Sequence, residues 1–177
     1  QQHLPPGTAT VEGIVTILGT NDPVPGAAVE MRKAECGRQG GESMATTSGP
    51  DGKFSFKQVR AGSWCIGAAK TGGALSPAEY RQRGYKGRGG AVPVADNQQI
   101  QDIRLMMPRT GSISGRVLDS DGEPMGHARV QAMEAFYQNG QMRLYTLNVV
   151  QTNDQGEFSL YWLPPGEYYV SAIPEDP

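Results

Sequence analysis

The chain carries few residues able to do covalent or metal chemistry: two histidines, His3 and His127, and two cysteines, Cys36 and Cys65. A hydrolytic zinc centre needs a His-x-x-Glu pair or its equivalent, a further distant ligand and a general base. His3 lies in "HLPP" with no Glu at that spacing, and His127 is followed by "ARV". His3 therefore reads as tail and His127 as turn surface. A Ser or Cys nucleophile needs an adjacent base held by a third group, and neither histidine sits in a motif of that kind. Asp51 in "GPDGK" and Asp154 in "NDQGE" offer too few oxygen ligands for calcium, and turn formation accounts for both. The expectation is a protein that is not an enzyme and uses no metal or cofactor.

Two groups of side chains could bind rather than react. Arg81, Arg83, Lys86 and Arg88 lie in a Gly-rich stretch with Tyr80 and Tyr85. Guanidinium groups beside aromatic rings can grip phosphate or an acidic polysaccharide; the same composition also describes a solvated loop. Tyr161 and Trp162, with Phe136 and Tyr137, could stack on sugar rings. Trp162 breaks the alternation set by Phe158 and Leu160, which places it at a bulge or on a rim. Packing between domains is the alternative use for these aromatics, because plain Lys57-Gln58 stands at the matching positions earlier in the chain.

Charge and cysteine usage bound the setting. The net charge of −2 gives no reason to expect nucleic acid. Residues 1–108 carry 12 Lys and Arg against 9 Asp and Glu, and residues 109–177 carry 4 against 9, so the first part is basic and the second acidic. Ordinary surface variation explains this, as would a weak, salt-screened head-to-tail attraction. No apolar run is long enough to cross a membrane as a helix. The chain begins with Gln rather than Met, as a mature exported protein or an excised piece would. In an exported protein Cys36 and Cys65 would pair; in the cytosol they would be free buried thiols.

The elements that must position these residues are written twice. "DGKFSFKQVRAGSWCIGAAK" starts at Asp51 and "DQGEFSLYWLPPGEYYVSAI" at Asp154. At an offset of 104, Phe54 matches Phe158, Gly62 matches Gly166, Trp64 is replaced by Tyr168 and Ile66 by Val170. "VEGIVTI" and "SISGRVL" repeat at 102, each with a central Gly, which marks a bulge or a close backbone approach. Pro23 and Pro124 suit turns that need a fixed φ and no N–H. Alternating runs between Gly, Pro and Asn turns predict short strands with Phe54, Phe56, Phe158, Leu160, Tyr168 and Val170 turned inward.

The predicted fold is all-β: two tandem Greek-key β-sandwiches, residues 8–108 and 109–177. The first continues past Lys70 through a polar loop into two more strands in "AVPVADNQQIQDIRLMM", with a turn near Asp96-Asn97. At the repeat offset, the second unit's last strands would fall beyond the residues given. The second unit is therefore expected to lack them, either as a fragment of a longer protein or because a strand from elsewhere completes it.

"SISGRVLDSDGEPMGHARV" followed by "TNDQGEFSLYWLPPGEYYVSAI" resembles the carboxypeptidase regulatory-like domain, a transthyretin-like, or prealbumin-like, sandwich. "VEGIVTI", "VPGAAVEM", "GPDGKFSFKQVRAGSWCI" and "IQDIRLMM" resemble it in the first unit. The connection from "SPAEYRQRG" to "IQDIRL" looks like that of tandem copies in exported bacterial proteins. The resemblance implies a non-catalytic module at the cell surface, acting as scaffold, spacer or interaction domain. It would have a protein or polysaccharide partner, or serve as the regulatory appendage of a hydrolase. Related pilin and adhesin sandwiches join Lys to Asn or Asp across strands. Neither first strand here contains Lys, so Asp102 has no evident partner and no crosslink is expected.

Overall fold

A computed structural model describes residues 5–33, 36, 41–83 and 87–174. Among them the regular structure is entirely β, with no helix. Contacts divide the chain into Gln1–Arg109 and Thr110–Pro177.

In the first unit β1 (Ala9–Ile17), β2 (Ala28–Arg32), β3 (Ser43–Thr47), β4 (Lys53–Val59) and β5 (Gly62–Ala69) follow one another through tight turns. They continue into β6 (Ala78–Glu79), β7 (Val92–Val94) and β8 (Gln99–Met107). One sheet has the order β4-β1-β8; the other has β3-β2-β5-β6, with β7 also on β5. β1 is antiparallel to β4 but parallel to β8, from Thr10 opposite Gln99 to Ile17 opposite Met107. Alternation does the burying, since every second strand residue faces the other sheet. Val11 and Val15 of β1, Phe54 and Phe56 of β4, Trp64 and Ile66 of β5, and Ile103, Leu105 and Met107 of β8 fill a single core. Asp102 interrupts β8 at a bulge with φ 68°.

The second unit repeats the first five strands as β9 (Gly111–Arg116), β10 (Arg129–Gln138), β11 (Gln141–Gln151), β12 (Glu157–Leu163) and β13 (Tyr169–Ile173). β12 pairs with β9, and β11-β10-β13 form the other sheet. No strand among the described residues takes the places of β6, β7 and β8.

The correspondence extends to single hydrogen bonds. The Val15 N–H donates to Gly52 O at 2.8 Å, as Val117 does to Gly156 O at 2.8 Å. Gly52 and Gly156 hold φ of 76° and 74°, a conformation in which a Cβ is costly. The buried Ser48 hydroxyl accepts from the Ala27 N–H at 2.9 Å and donates to Val24 O at 2.7 Å. Thr152 does the same with the Ala128 N–H at 2.9 Å and Met125 O at 2.7 Å. The Trp64 indole N–H donates to Arg60 O, and the Tyr168 hydroxyl to Pro164 O, four residues back in each case.

The cores differ. Leu160, Leu163, Val130 and Ala132 are buried in the second unit. Phe158 is only half-buried, whereas Phe54 is 4% exposed. Val170, expected in the core, is 43% exposed, against 1% for its counterpart Ile66. Among the described residues the second unit has no layer of the kind Ile103, Leu105 and Met107 provide in the first, and Ile113, Phe158 and Val170 stay partly wet.

Candidate functional site

The aromatic pair on β12 owes its position to a bulge. Leu160 faces Ile113 and Leu163 faces Gly111, so Tyr161 and Trp162 together stand opposite the single residue Ser112. Trp162 takes a left-handed φ of 57°. An extra residue of this kind is released from the ladder and re-aims its side chain. Tyr161 is 55% and Trp162 64% exposed, with ring centroids 6.4 Å apart and planes tilted by 49°. The Asn148 side-chain amide donates to Tyr161 O at 2.9 Å and ties the bulge to β11. The first unit has the same bulge, with Gln58 at φ 58°.

Phe136 and Tyr137 are not brought together as one surface. They are neighbours on β10, so their side chains point to opposite faces of the hairpin. Tyr137 shares the outer face with Met142, its cross-strand partner, while Phe136 follows Ala132 and Glu134 on the inner face. Both are exposed, Tyr137 the more so.

The basic loop is partly engaged with itself. The Arg81 guanidinium lies over the Tyr80 ring, 5.2 Å from its centroid, and Tyr80 is half-buried against the core. The Glu79 carboxylate accepts the Gly89 N–H at 2.7 Å, and the Gly90 N–H donates to Tyr80 O at 2.7 Å. An acidic side chain thus closes the neck of the loop. Arg83 and Arg88 are exposed. Tyr85 and Lys86 lie outside the described residues, as does His3.

Cys36 and Cys65 form a disulfide with Cα atoms 5.3 Å apart, pinning the segment after β2 to β5. His127 and Asp154 face each other at 3.3 Å on the surface. His127 holds φ 58° where the first unit has Gly26 at φ 67°. No group of three or more His, Cys, Asp or Glu able to hold a metal occurs among the described residues. Asp51 is a turn residue: its carboxylate accepts the Lys53 N–H at 3.1 Å. That bond, with the nearby Lys53 ammonium, holds its carboxyl below the usual aspartate range. The Arg32 guanidinium does the same for Glu30.

Sequence reasoning missed Ser48 and Thr152, whose buried hydroxyls organise equivalent turns. The one available signal was that both lie 104 apart, like the quoted phrases around them.

With this geometry in hand, comparison with known proteins places the second unit: residues 112–173 match the carboxypeptidase regulatory-like domain. No curated protein matches the chain in sequence. Among solved structures, the chain is similar to a streptococcal ancillary pilin, with a TM-score of 0.54 and 13% identity, covering 93% of this chain and 53% of that one. It is similar to GBS52, the minor pilin of Streptococcus agalactiae, with a TM-score of 0.54 and 14% identity, covering 96% of this chain and 84% of that one. The chain therefore spans about half of the first of these and most of the second. At such identities the likeness is one of fold: a β-sandwich.

Proposed function

We propose that the chain is a non-catalytic, exported scaffold or spacer, built from two copies of the carboxypeptidase regulatory-like sandwich in tandem. The observation that carries the reading is the parallel pairing of β1 with β8, the first and last strands of the first unit. Tension applied to the two ends of that unit runs along these strands in opposite directions. It loads the whole ladder at once instead of opening it bond by bond. The disulfide supports the reading, since it closes a separation of 29 residues and suits an oxidising compartment. The fold shared with two pilins, proteins named for surface fibres, supports a place at the cell surface with protein partners.

Single-molecule pulling tests it. Handles at Pro6 and Arg109 are expected to need several times the force of handles at Thr8 and Arg60. The second pair peels β1 from β4 starting at Ala9 opposite Val59. Equal forces in the two geometries would overturn the mechanical reading.

A second reading is favoured by the exposed Tyr161-Trp162 pair: a carbohydrate-binding face on the bulge of β12. A glycan array decides between the two. Binding that disappears in Trp162→Ala supports the sugar face, and an empty array leaves the scaffold.

A further inference from the structure

We propose that the distal half of β11 is a self-association edge. Two copies of this chain pair there, antiparallel, about a two-fold axis at Leu144. This goes beyond the scaffold reading and does not depend on it.

The edge belongs to the fold. β11 pairs with β10 on one side and with no strand on the other among the described residues. Its counterpart β3 is likewise outermost in the first unit's sheet. The difference is length. β3 spans five residues, and shortness protects an edge from stray pairing, whereas β11 spans eleven. From Gln141 to Gln151 it holds no Pro and a single charge, Arg143, so the side chains that guard other long edges are missing. The Asn148 amide ties the proximal end to Tyr161 O on β12, which leaves residues 141–147 as the open stretch.

The arm that carries this stretch is built to stay extended. Its ladder with β10 runs out to Gln138 opposite Gln141. It closes through Asn139 and Gly140 at φ 52° and 77°, the two left-handed residues of a tight hairpin turn. In the first unit the corresponding ladder stops at Arg32 opposite Ser43.

Both faces of the arm are apolar and wet. Phe136 and Tyr145 lie on the inner face, and Tyr137, Met142 and Leu144 on the outer. All five are exposed. Together they leave about 500 Å² in water, counting a fully exposed aromatic side chain as roughly 200 Å². A two-stranded ribbon is marginal in water by itself. A body packed on one face would leave the other wet. A strand added in the plane of the ribbon reaches both, because its side chains alternate between the faces.

The sequence of β11 fits a copy of itself. A two-fold axis normal to the sheet makes an isologous pair in which opposite residues share a face. With the axis at Leu144, Leu144 meets its own copy and Met142 meets Thr146, all on the outer face. On the inner face Arg143 of each copy meets Tyr145 of the other, a cation beside an aromatic ring, twice over. The strand's one charge is thereby kept from facing its own copy. The register ends where Leu147 bulges from the ladder. Arg, Tyr and Met without Lys, Asp or Glu is also the composition of an interface core. About 500 Å² per copy falls short of the roughly 800 Å² of a standard interface, so the dimer is weak and reversible.

Sedimentation equilibrium of the chain from about 1 μM to 1 mM tests the pairing. A reversible monomer–dimer equilibrium is expected within that range. Leu144→Lys sets two like charges at the axis and should weaken dimerisation roughly tenfold or more, with the melting temperature of the dilute chain unmoved. Ala45→Lys, on the exposed edge of β3, should leave dimerisation unchanged. Leu144→Cys is the independent measure should Leu144→Lys misfold. Opposite Cβ atoms lie about 5 Å apart, so oxidation should lock this variant as a covalent dimer, while Met133→Cys on β10 stays monomeric. A monomer throughout the range, dimerisation that Leu144→Lys leaves intact, a dimer that Leu144→Cys fails to lock, or equal effects at the two control positions overturns the proposal.

Discussion

Trp162 stands in the second unit where Gln58 stands in the first: both are bulge residues at left-handed φ, 57° and 58°. The backbone feature is shared, and only the side chain it displays differs. In one unit the bulge presents an amide, in the other an indole that is 64% exposed. The display is built by the fold and filled by the sequence.

Trp162→Gly should therefore be tolerated. A left-handed φ costs a non-glycine residue about 1–2 kcal/mol, and an indole this exposed contributes little packing to offset it. Urea unfolding should show stability unchanged or raised by about 1 kcal/mol. A loss of more than about 2 kcal/mol would mean that the indole is packed in solution.

Ser48→Ala and Thr152→Val should each be costly despite the small change in volume. Each removes a buried hydroxyl that bridges two backbone groups. The stranded N–H and C=O lose their partners, at about 1–3 kcal/mol. Chemical denaturation of the two variants should show similar losses, because the bonding patterns are the same.

Replacing both Cys36 and Cys65 by Ser should lower stability by about 3–4 kcal/mol, the loop-closure effect expected for a separation of 29 residues. Reductant should shift the melting temperature of the parent chain and leave that of the double variant unmoved.

Asp51 supplies a pH dependence with a definite sign. Its folded carboxyl titrates below the usual range, first because of the Lys53 N–H and then through the Lys53 side chain. A depressed folded pKa gives stability that is present above the unfolded carboxyl's value and lost as pH falls through the folded one. The difference between the parent chain and Asp51→Asn should be constant near neutrality and shrink below about pH 4. A carboxyl titration followed by NMR should place Asp51 below an exposed aspartate.

Much of the fold was legible because it is written in local chemistry. Gly52 and Gly156 mark turns that need a positive φ, and Phe54, Phe56 and Leu160 fall inward by simple alternation. The bulge at Trp162 showed as a break in that alternation. Val170 was placed in the core by the same rule, yet it is 43% exposed. The rule assigns a face to a residue and cannot say whether another strand covers that face. The candidate aromatic group divides for a similar reason: Tyr161 and Trp162 meet, whereas Phe136 and Tyr137 are split between two faces.

The sequence by itself determined strands, turns and the internal repeat, because each depends on φ preferences and a period of two along a few neighbouring residues. Only the tertiary structure decided that β1 and β8 run parallel some ninety residues apart and that Ser48 and Thr152 are buried bridges. Those depend on which distant backbones come within hydrogen-bonding reach, and no local pattern carries that information.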